Sequence, residues 1–249
     1  MSTRTSVDFI DADRVSVTDR GFTYGDGLFE TLRVADGQVP LWPRHEARLR
    51  QGCARLRIPP PDTDAILAEI GRLSRGLADG VARVTLSRGE GARGYAPPAS
   101  PRPTLVVTVA PLALQAPPYD DGMAVRLCDT RLATQPLLAG MKHLNRLEQV
   151  LARAEWDDPT VGEGLMLDME DNVVCATAAN LFAVFAGQLV TPPVDACGVA
   201  GVARAHRGRV RSGDDPPAAR RAREFRPRVP PRRVRRERER FRLLADRAR

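Results

Sequence analysis

Gly140-Met141-Lys142-His143-Leu144-Asn145-Arg146-Leu147-Glu148-Gln149 carries the only lysine in a chain of 249 residues. The other 37 of the 38 basic residues are arginines. Arginine supplies lasting positive charge. An ammonium group, by contrast, can lose its proton at accessible pH and attack a carbonyl to form a Schiff base. A single lysine is equally what codon bias would leave on a surface, so the neighbouring residues have to decide. Met141, Leu144, Leu147, Leu151 and Ala154 recur at helical spacing, which predicts a helix over Met141 to Trp156. Lys142, Arg146 and Gln149 then share one face at i, i+4 and i+7. Lys142 falls near the helix start, where the positive potential of the backbone amides favours the neutral amine.

Working outward, Met123 to Cys128 reads as the strand that opens this half of the chain. Gly164 to Leu167, Val173 to Thr177, Leu181 to Phe185 and Leu189 to Val190 read as the strands that complete it. In the first half, Leu28 to Trp42 reads as a hairpin turning at Asp36-Gly37. Pro43 to Leu56 and Thr63 to Leu77 carry helical spacing, with Ile66, Ile70 and Leu73 on one stripe. Val81 to Ser87 and Thr104 to Val109 are β-branched runs. Gln115-Ala116-Pro117-Pro118-Tyr119 has the composition of a linker. The expected division is an N-terminal α/β domain at 1–114, a linker at 115–120, a C-terminal domain at 121–204 and a tail at 205–249.

The net charge of +7 belongs to the tail. Residues 204–249 hold 18 arginines against six acids, a net of +12, which leaves the preceding 203 residues at −5. The high pI therefore gives no reason to read the body as a nucleic-acid binder. Five prolines and only seven Val, Leu or Phe residues in 204–249 cannot offset the entropy of ordering that segment. It reads as a disordered tail, whether a translation of arginine-rich coding sequence or a genuine replacement. Its contact with nucleic acid would be nonspecific and salt-sensitive. The polar first residues are unlike a signal peptide, no apolar run is long enough for a membrane span, and Cys53, Cys128, Cys175 and Cys197 are spaced unlike a metal site. A cytoplasmic protein without a metal is expected.

At this point the residues resemble a known family. Lys142 to Gln149 is similar to the catalytic stretch of the aminodeoxychorismate lyases, pyridoxal-phosphate enzymes of fold type IV related to branched-chain and D-amino-acid aminotransferases. Three further stretches agree in order. Asp19-Arg20-Gly21-Phe22-Thr23-Tyr24-Gly25-Asp26-Gly27-Leu28-Phe29-Glu30-Thr31 resembles the N-terminal signature. His45-Glu46-Ala47-Arg48-Leu49 resembles the His-x-x-Arg-Leu helix. Ala178-Ala179-Asn180-Leu181-Phe182 with Gly198-Val199-Ala200-Gly201-Val202-Ala203-Arg204 resembles the later cofactor-binding segments. The resemblance covers residues 8 to about 204.

It implies a two-domain α/β (α+β) fold and pyridoxal 5'-phosphate held covalently by Lys142. Arg48 would offer its planar fork to the cofactor phosphate, and the amides of Val202 and Ala203, which Gly201 lets approach closely, would cradle it. Arg146 stands where the aminotransferases usually carry Tyr. With His143, Arg93 and Tyr95 it is a candidate for the substrate side, which suits a dicarboxylate. His45 reads as structural. One departure is Cys175, at the position of the glutamate that faces the cofactor's pyridine nitrogen. A thiol there makes the cofactor a poorer electron sink, which favours a lyase over an aminotransferase.

The implied activity converts 4-amino-4-deoxychorismate to 4-aminobenzoate and pyruvate in folate synthesis, in a homodimer. The alternatives are a D- or branched-chain aminotransferase, or an inactive remnant whose tail binds polyanions.

Overall fold

The computed structural model describes residues 2–112, 122–185 and 188–205. The linker expected at 115–120 and the tail beyond residue 205 lie outside the described residues.

The chain forms two units. The first takes the described residues of Met1–Gln115 together with Met141–Asn145. Its elements are β1 (Arg4–Val7), β2 (Ile10–Asp11), α1 (Arg20–Tyr24), β3 (Gly27–Ala35), α2 (Trp42–Leu56), α3 (Thr63–Leu73), β4 (Asp79–Ser87) and β5 (Leu105–Pro111). The strands make one antiparallel sheet in the order β2-β1-β5-β4-β3.

Alternation explains its core. Leu28, Leu32 and Val34 of β3, Ala82, Val84 and Leu86 of β4, and Leu105, Val107 and Val109 of β5 are buried together. Each set has period two, so one sheet face is apolar. Trp42, Leu49 and Cys53 of α2 and Ile66, Ile70 and Leu73 of α3 join the same cluster. Asp62 caps α3, accepting from the amides of Asp64 and Ala65 at 3.0 Å.

The hairpin expected over Leu28 to Trp42 forms only its first strand and its turn. Asp36 and Gly37 take positive φ, as a tight turn requires, but only Ala35 pairs with Gln38. Pro43 lies at the start of a helix, where a missing N–H costs nothing, and α2 takes over from Trp42. α3 stops at Leu73, four residues before the expected end.

The second unit takes the described residues of Ala116–Gly140 and those from Arg146 onward. It contains β6 (Ala124–Leu132), α4 (Leu147–Arg153), β7 (Val161–Asp168), β8 (Val173–Ala176), β9 (Ala183–Phe185) and β10 (Gln188–Val190). β6 and β7 are parallel, with α4 in the crossover between them, and β8 pairs antiparallel with β7. β9 and β10 form a separate hairpin. Cys128, Leu132, Ala152, Trp156, Met166, Val174, Cys175 and Cys197 make the core. Gly164 is required there, since a Cβ would lie 2.5 Å from the Cys128 Sγ and 2.8 Å from the Trp156 ring.

The helix expected over Met141 to Trp156 is shorter. Only Leu147–Arg153 is helical, and Met141 to Asn145 is irregular apart from a bridge at His143. The reason is the open edge of β3. The Phe29 amide donates to the Lys142 carbonyl at 2.9 Å, and the Leu144 amide donates to the Gly27 carbonyl at 3.0 Å. Edge-strand groups that would stay unpaired thus bond this segment, and those bonds outweigh a weak helical preference. Gly140, at φ 78, turns the chain into it.

Candidate active site

Lys142 does not sit on a helix, so it does not share a helical face with Arg146 and Gln149, and the helix that follows begins only at Leu147. It sits on the segment bonded to β3. Its Nζ lies 4.4 Å from the centre of the Phe29 ring. Arg83 of β4 stacks its guanidinium 4.1 Å from the same ring. Burial pushes the Arg83 guanidinium below its ordinary value. His143 forms the backbone bridge to Leu28. Asn145 Nδ2 donates to the Gly25 carbonyl at 3.0 Å and holds the far end of the segment.

Arg48, on α2, turns its fork onto a carboxylate. Its Nε donates to Glu30 Oε1 at 2.8 Å and its Nη2 to Oε2 at 2.5 Å. His45 Nδ1 lies 2.7 Å from the same Oε2, which supports a structural His45. Glu30 is 2% exposed and stands between Leu28 and Leu32 on the helix-facing side of β3. Burial acts to raise its pKa, but the Arg48 and His45 hydrogen bonds outweigh it and hold the carboxyl below its ordinary value. Phe29 and Glu30 are consecutive, so their side chains leave opposite faces of the strand. Lys142 is thus tied to one face of β3, through Phe29, and Arg48 to the other, through Glu30. Sequence reasoning missed Glu30, although a lone acid within the run Leu28-x-Glu30-x-Leu32-x-Val34 was the available signal.

Arg93 and Tyr95 lie on the long connection between β4 and β5, and both are exposed. A buried network that sequence reasoning also missed lies beneath them. Arg20 and Arg88 both bond Asp26, at 2.9 and 2.7 Å. Burial would raise the Asp26 pKa, but Arg88 and Arg20 outweigh it and hold the carboxylate ionised to lower pH. Asp19 caps α1 through the Gly21 amide and accepts from the Ser87 hydroxyl, each at 2.7 Å.

In the second unit, Cys175 is 6% exposed on β8, opposite Met166 of β7. Burial pushes its thiol up to about 12, with Cys197 adding to the rise and Arg146 opposing it. Arg146 is half-buried just before α4, and burial lowers its pKa. Asn180 forms an isolated bridge with Cys175, and its Nδ2 donates to the Val199 carbonyl at 2.8 Å. The Gly140 amide donates to the Gly198 carbonyl, and the Ala200 amide to the Gly140 carbonyl, both at 3.0 Å. This lattice fixes the approach to Gly201, whose carbonyl accepts from the Ala205 amide as residues 202–205 turn helical. Arg204 is tied back through the Pro192 carbonyl at 3.0 Å. Among the described residues no cluster of His, Cys, Asp or Glu is placed to hold a metal ion, and no helix is long and apolar enough to cross a membrane.

These arrangements, a lone lysine bonded to a sheet edge and a glycine-led helix start behind an Asn-anchored turn, define one class of protein. The profile of amino-transferase class IV matches residues 27–207, and the chain belongs to that family. Among its relatives is the aminodeoxychorismate lyase of Vibrio harveyi, 40% identical over 195 residues that make up 76% of this chain and 70% of that one. A putative branched-chain-amino-acid aminotransferase of Methanocaldococcus jannaschii is 35% identical, over 73% of this chain and 64% of that one. The crystal structure of 4-amino-4-deoxychorismate lyase from Pseudomonas aeruginosa superimposes with a TM-score of 0.79. It shares 50% identity and covers 84% of this chain and 77% of that one. The fold is that of a fold-type IV enzyme.

Proposed function

We propose that this chain is a pyridoxal-phosphate-dependent lyase that converts 4-amino-4-deoxychorismate to 4-aminobenzoate and pyruvate. The observation that carries the reading is the 50% identity with the Pseudomonas lyase across 84% of the chain. The stretch Lys142-His143-Leu144-Asn145-Arg146 agrees with it.

By resemblance, Lys142, Gly201, Val202 and Ala203 are the residues that would hold the cofactor, and Cys175 departs from the family's pattern. Lys142 is the only side-chain amine, so it is the group that takes the cofactor's carbonyl. Gly201, Val202 and Ala203 open a helix and would hold the phosphate through backbone amides. Arg48, which the resemblance would place at the phosphate, has its Nε and Nη2 on Glu30, on the face of β3 opposite Phe29, so that role rests on the resemblance alone. Cys175 stands where the resemblance places the glutamate that would face the pyridine nitrogen. A thiol with its pKa near about 12 is neutral at physiological pH and places no negative charge beside a pyridine nitrogen.

When bound, pyridoxal phosphate supplies an electron sink that makes the carbon bearing the substrate amine acidic. The Lys142 Nζ takes the ring proton from that carbon. The ring becomes aromatic as the enolpyruvyl ether bond breaks, and Lys142 returns a proton to the departing methylene carbon, giving pyruvate. The Phe29 ring limits where the amine can go. Arg93, Tyr95, His143 and Arg146 are the substrate-side candidates, with arginines matched to the two carboxylates. Aromatisation drives this reaction, so the weak sink implied by Cys175 suits it better than amino transfer. The enzyme would serve folate synthesis in the cytoplasm as a homodimer, with an N-terminal domain at 1–114 and a cofactor-binding domain at 121–204.

The deciding experiment incubates the purified chain with pyridoxal phosphate and 4-amino-4-deoxychorismate. It follows 4-aminobenzoate by fluorescence and pyruvate by a coupled assay. Equimolar products are expected. Alanine formed from pyruvate, or glutamate from 2-oxoglutarate, at a greater rate would replace the lyase with an aminotransferase.

A further inference from the structure

Arg20 is 4% exposed, yet its guanidinium is spent on a segment that is largely exposed. Nη1 donates to the carbonyls of Gly94 at 3.0 Å and Ala96 at 3.4 Å, and Nη2 donates to Tyr95 at 3.1 Å. Nε donates to Asp26. A guanidinium presents its donors in one rigid plane. Three successive carbonyls converging on that plane fix the backbone between Arg93 and Ala96.

A second set of contacts, through Tyr24, holds the same segment. The Gly94 amide donates to the Tyr24 hydroxyl oxygen at 3.0 Å. The Tyr24 ring lies 5.5 Å from the Tyr95 ring, tilted at 58°, and Arg20 stacks 4.8 Å from the Tyr24 ring. Gly91 lets the chain pass close to Arg20, because a Cβ there would lie 2.8 Å from the Arg20 Cδ. Arg20 and Tyr24 are the first and last residues of α1, so one short helix carries both halves of the clamp. Asp26 is also held by Arg88, whose own donors reach the Leu56 and Arg57 carbonyls at 2.8 and 3.0 Å. The anchor of the clamp is therefore tied to the end of α2.

We propose that Arg20 is a positioning residue for substrate recognition: with Tyr24 it locks the Gly94–Ala96 backbone and so fixes where Arg93 and Tyr95 present themselves to a carboxylate-bearing substrate. The proposal rests on the lyase reading above for its substrate, but not for the clamp itself. Preordering matters because an exposed arginine side chain and its loop otherwise lose conformational freedom on binding, which weakens affinity.

The test uses the full chain with pyridoxal phosphate and two variants, Arg20→Lys and Tyr24→Phe. The first keeps a charge for Asp26 but loses the planar fork. The second removes only the hydroxyl that accepts from Gly94 and keeps the ring, so it stays informative if the first fails to fold. Trypsin cleavage after Arg93, followed by mass spectrometry, reads loop opening without any substrate. Cleavage is expected to quicken by roughly tenfold in Arg20→Lys and about threefold in Tyr24→Phe. KM should rise by similar factors while kcat stays within about twofold.

Unchanged cleavage in a folded variant overturns the clamp. Faster cleavage with an unchanged KM in an active enzyme overturns the positioning role. If the wild-type chain forms no 4-aminobenzoate, the lyase reading fails, and the cleavage ratio still decides the clamp.

Discussion

Lys142 and Phe29 are joined twice. The Phe29 amide donates to the Lys142 carbonyl at 2.9 Å, and the Lys142 Nζ lies 4.4 Å from the Phe29 ring centre. The backbone bond places the lysine along the edge of β3, and the ring limits where its amine can move. Such double attachment is what a proton-carrying side chain requires, since its reach to a reacting carbon must be set before reaction. Borohydride reduction of the holoenzyme should therefore place the pyridoxyl group on the tryptic peptide Leu132–Arg146. Lys142→Arg should keep the fold and lose at least about a thousandfold in kcat. A label found only on the N-terminal amine would rule Lys142 out.

Glu30 is buried among apolar side chains and is held ionised by Arg48 and His45. Its folded-state pKa lies below the ordinary glutamate value. A depressed pKa contributes stability that is present above the unfolded pKa, about 4.3, and is lost as pH falls through the folded value. The first unit should therefore weaken below about pH 4. Removing one partner of a buried pair typically costs about 3–5 kcal/mol, so Glu30→Leu should cost about that much. Glu30→Gln, which keeps the shape, should cost less and should flatten the acid limb. Trp42 lies in this core and Trp156 in the other, so fluorescence during urea unfolding can separate the two units. An acid limb unchanged in Glu30→Gln would remove Glu30 from the account.

Cys175 is the departure with the clearest chemical consequence. Its thiol stays protonated, so the folded protein should resist iodoacetamide at pH 8 at this position. Cys175→Glu would put a carboxylate where the family resemblance places one. We expect amino transfer to pyruvate to rise by about tenfold and the cofactor absorbance band to shift. No change in either would show that Cys175 is only a buried strand thiol.

The sheet of the first unit was legible because its alternation is regular. Ala82, Val84 and Leu86 against Leu105, Val107 and Val109 leave one reading. The lysine segment was misread for a physical reason. Met141, Leu144 and Leu147 do keep helical spacing, but spacing says nothing about an unpaired strand edge waiting elsewhere in the chain. Gly140 was the local clue, since a glycine at positive φ marks a turn just before the segment. The lysine itself could be found from composition. Its environment could not, because Phe29 and Arg83 are separated from it by 113 and 59 positions in sequence. Asp26, Arg20 and Arg88 were missed alike, since a buried ion cluster has no periodicity. The short α1, β1 and β2 were not anticipated either.

Asn180 supports the last prediction. It is 6% exposed, and its Nδ2 donates to the Val199 carbonyl at 2.8 Å, within the turn that leads to Gly201. Gly198 in that turn has φ 80, and a Cβ there would lie 3.1 Å from the Val174 Cγ1, so the turn has little freedom to find another partner. Asn180→Ala would leave the Val199 carbonyl without its donor, at a cost of about 1–3 kcal/mol. Asn180→Asp would do worse, because it sets a second acceptor against that carbonyl. The expected signature is directional. Unfolding of the second unit, read by Trp156, should come at lower urea, and that of the first, read by Trp42, should not move. If the start of the helix at Val202 holds the cofactor phosphate, the dissociation constant for pyridoxal phosphate should rise by about tenfold in Asn180→Ala, measured by equilibrium dialysis. Inorganic phosphate should then compete less well with the cofactor in the variant than in the wild type. Equal cofactor affinity alongside clear destabilisation would confine Asn180 to the fold and remove the Gly201 turn from the phosphate site.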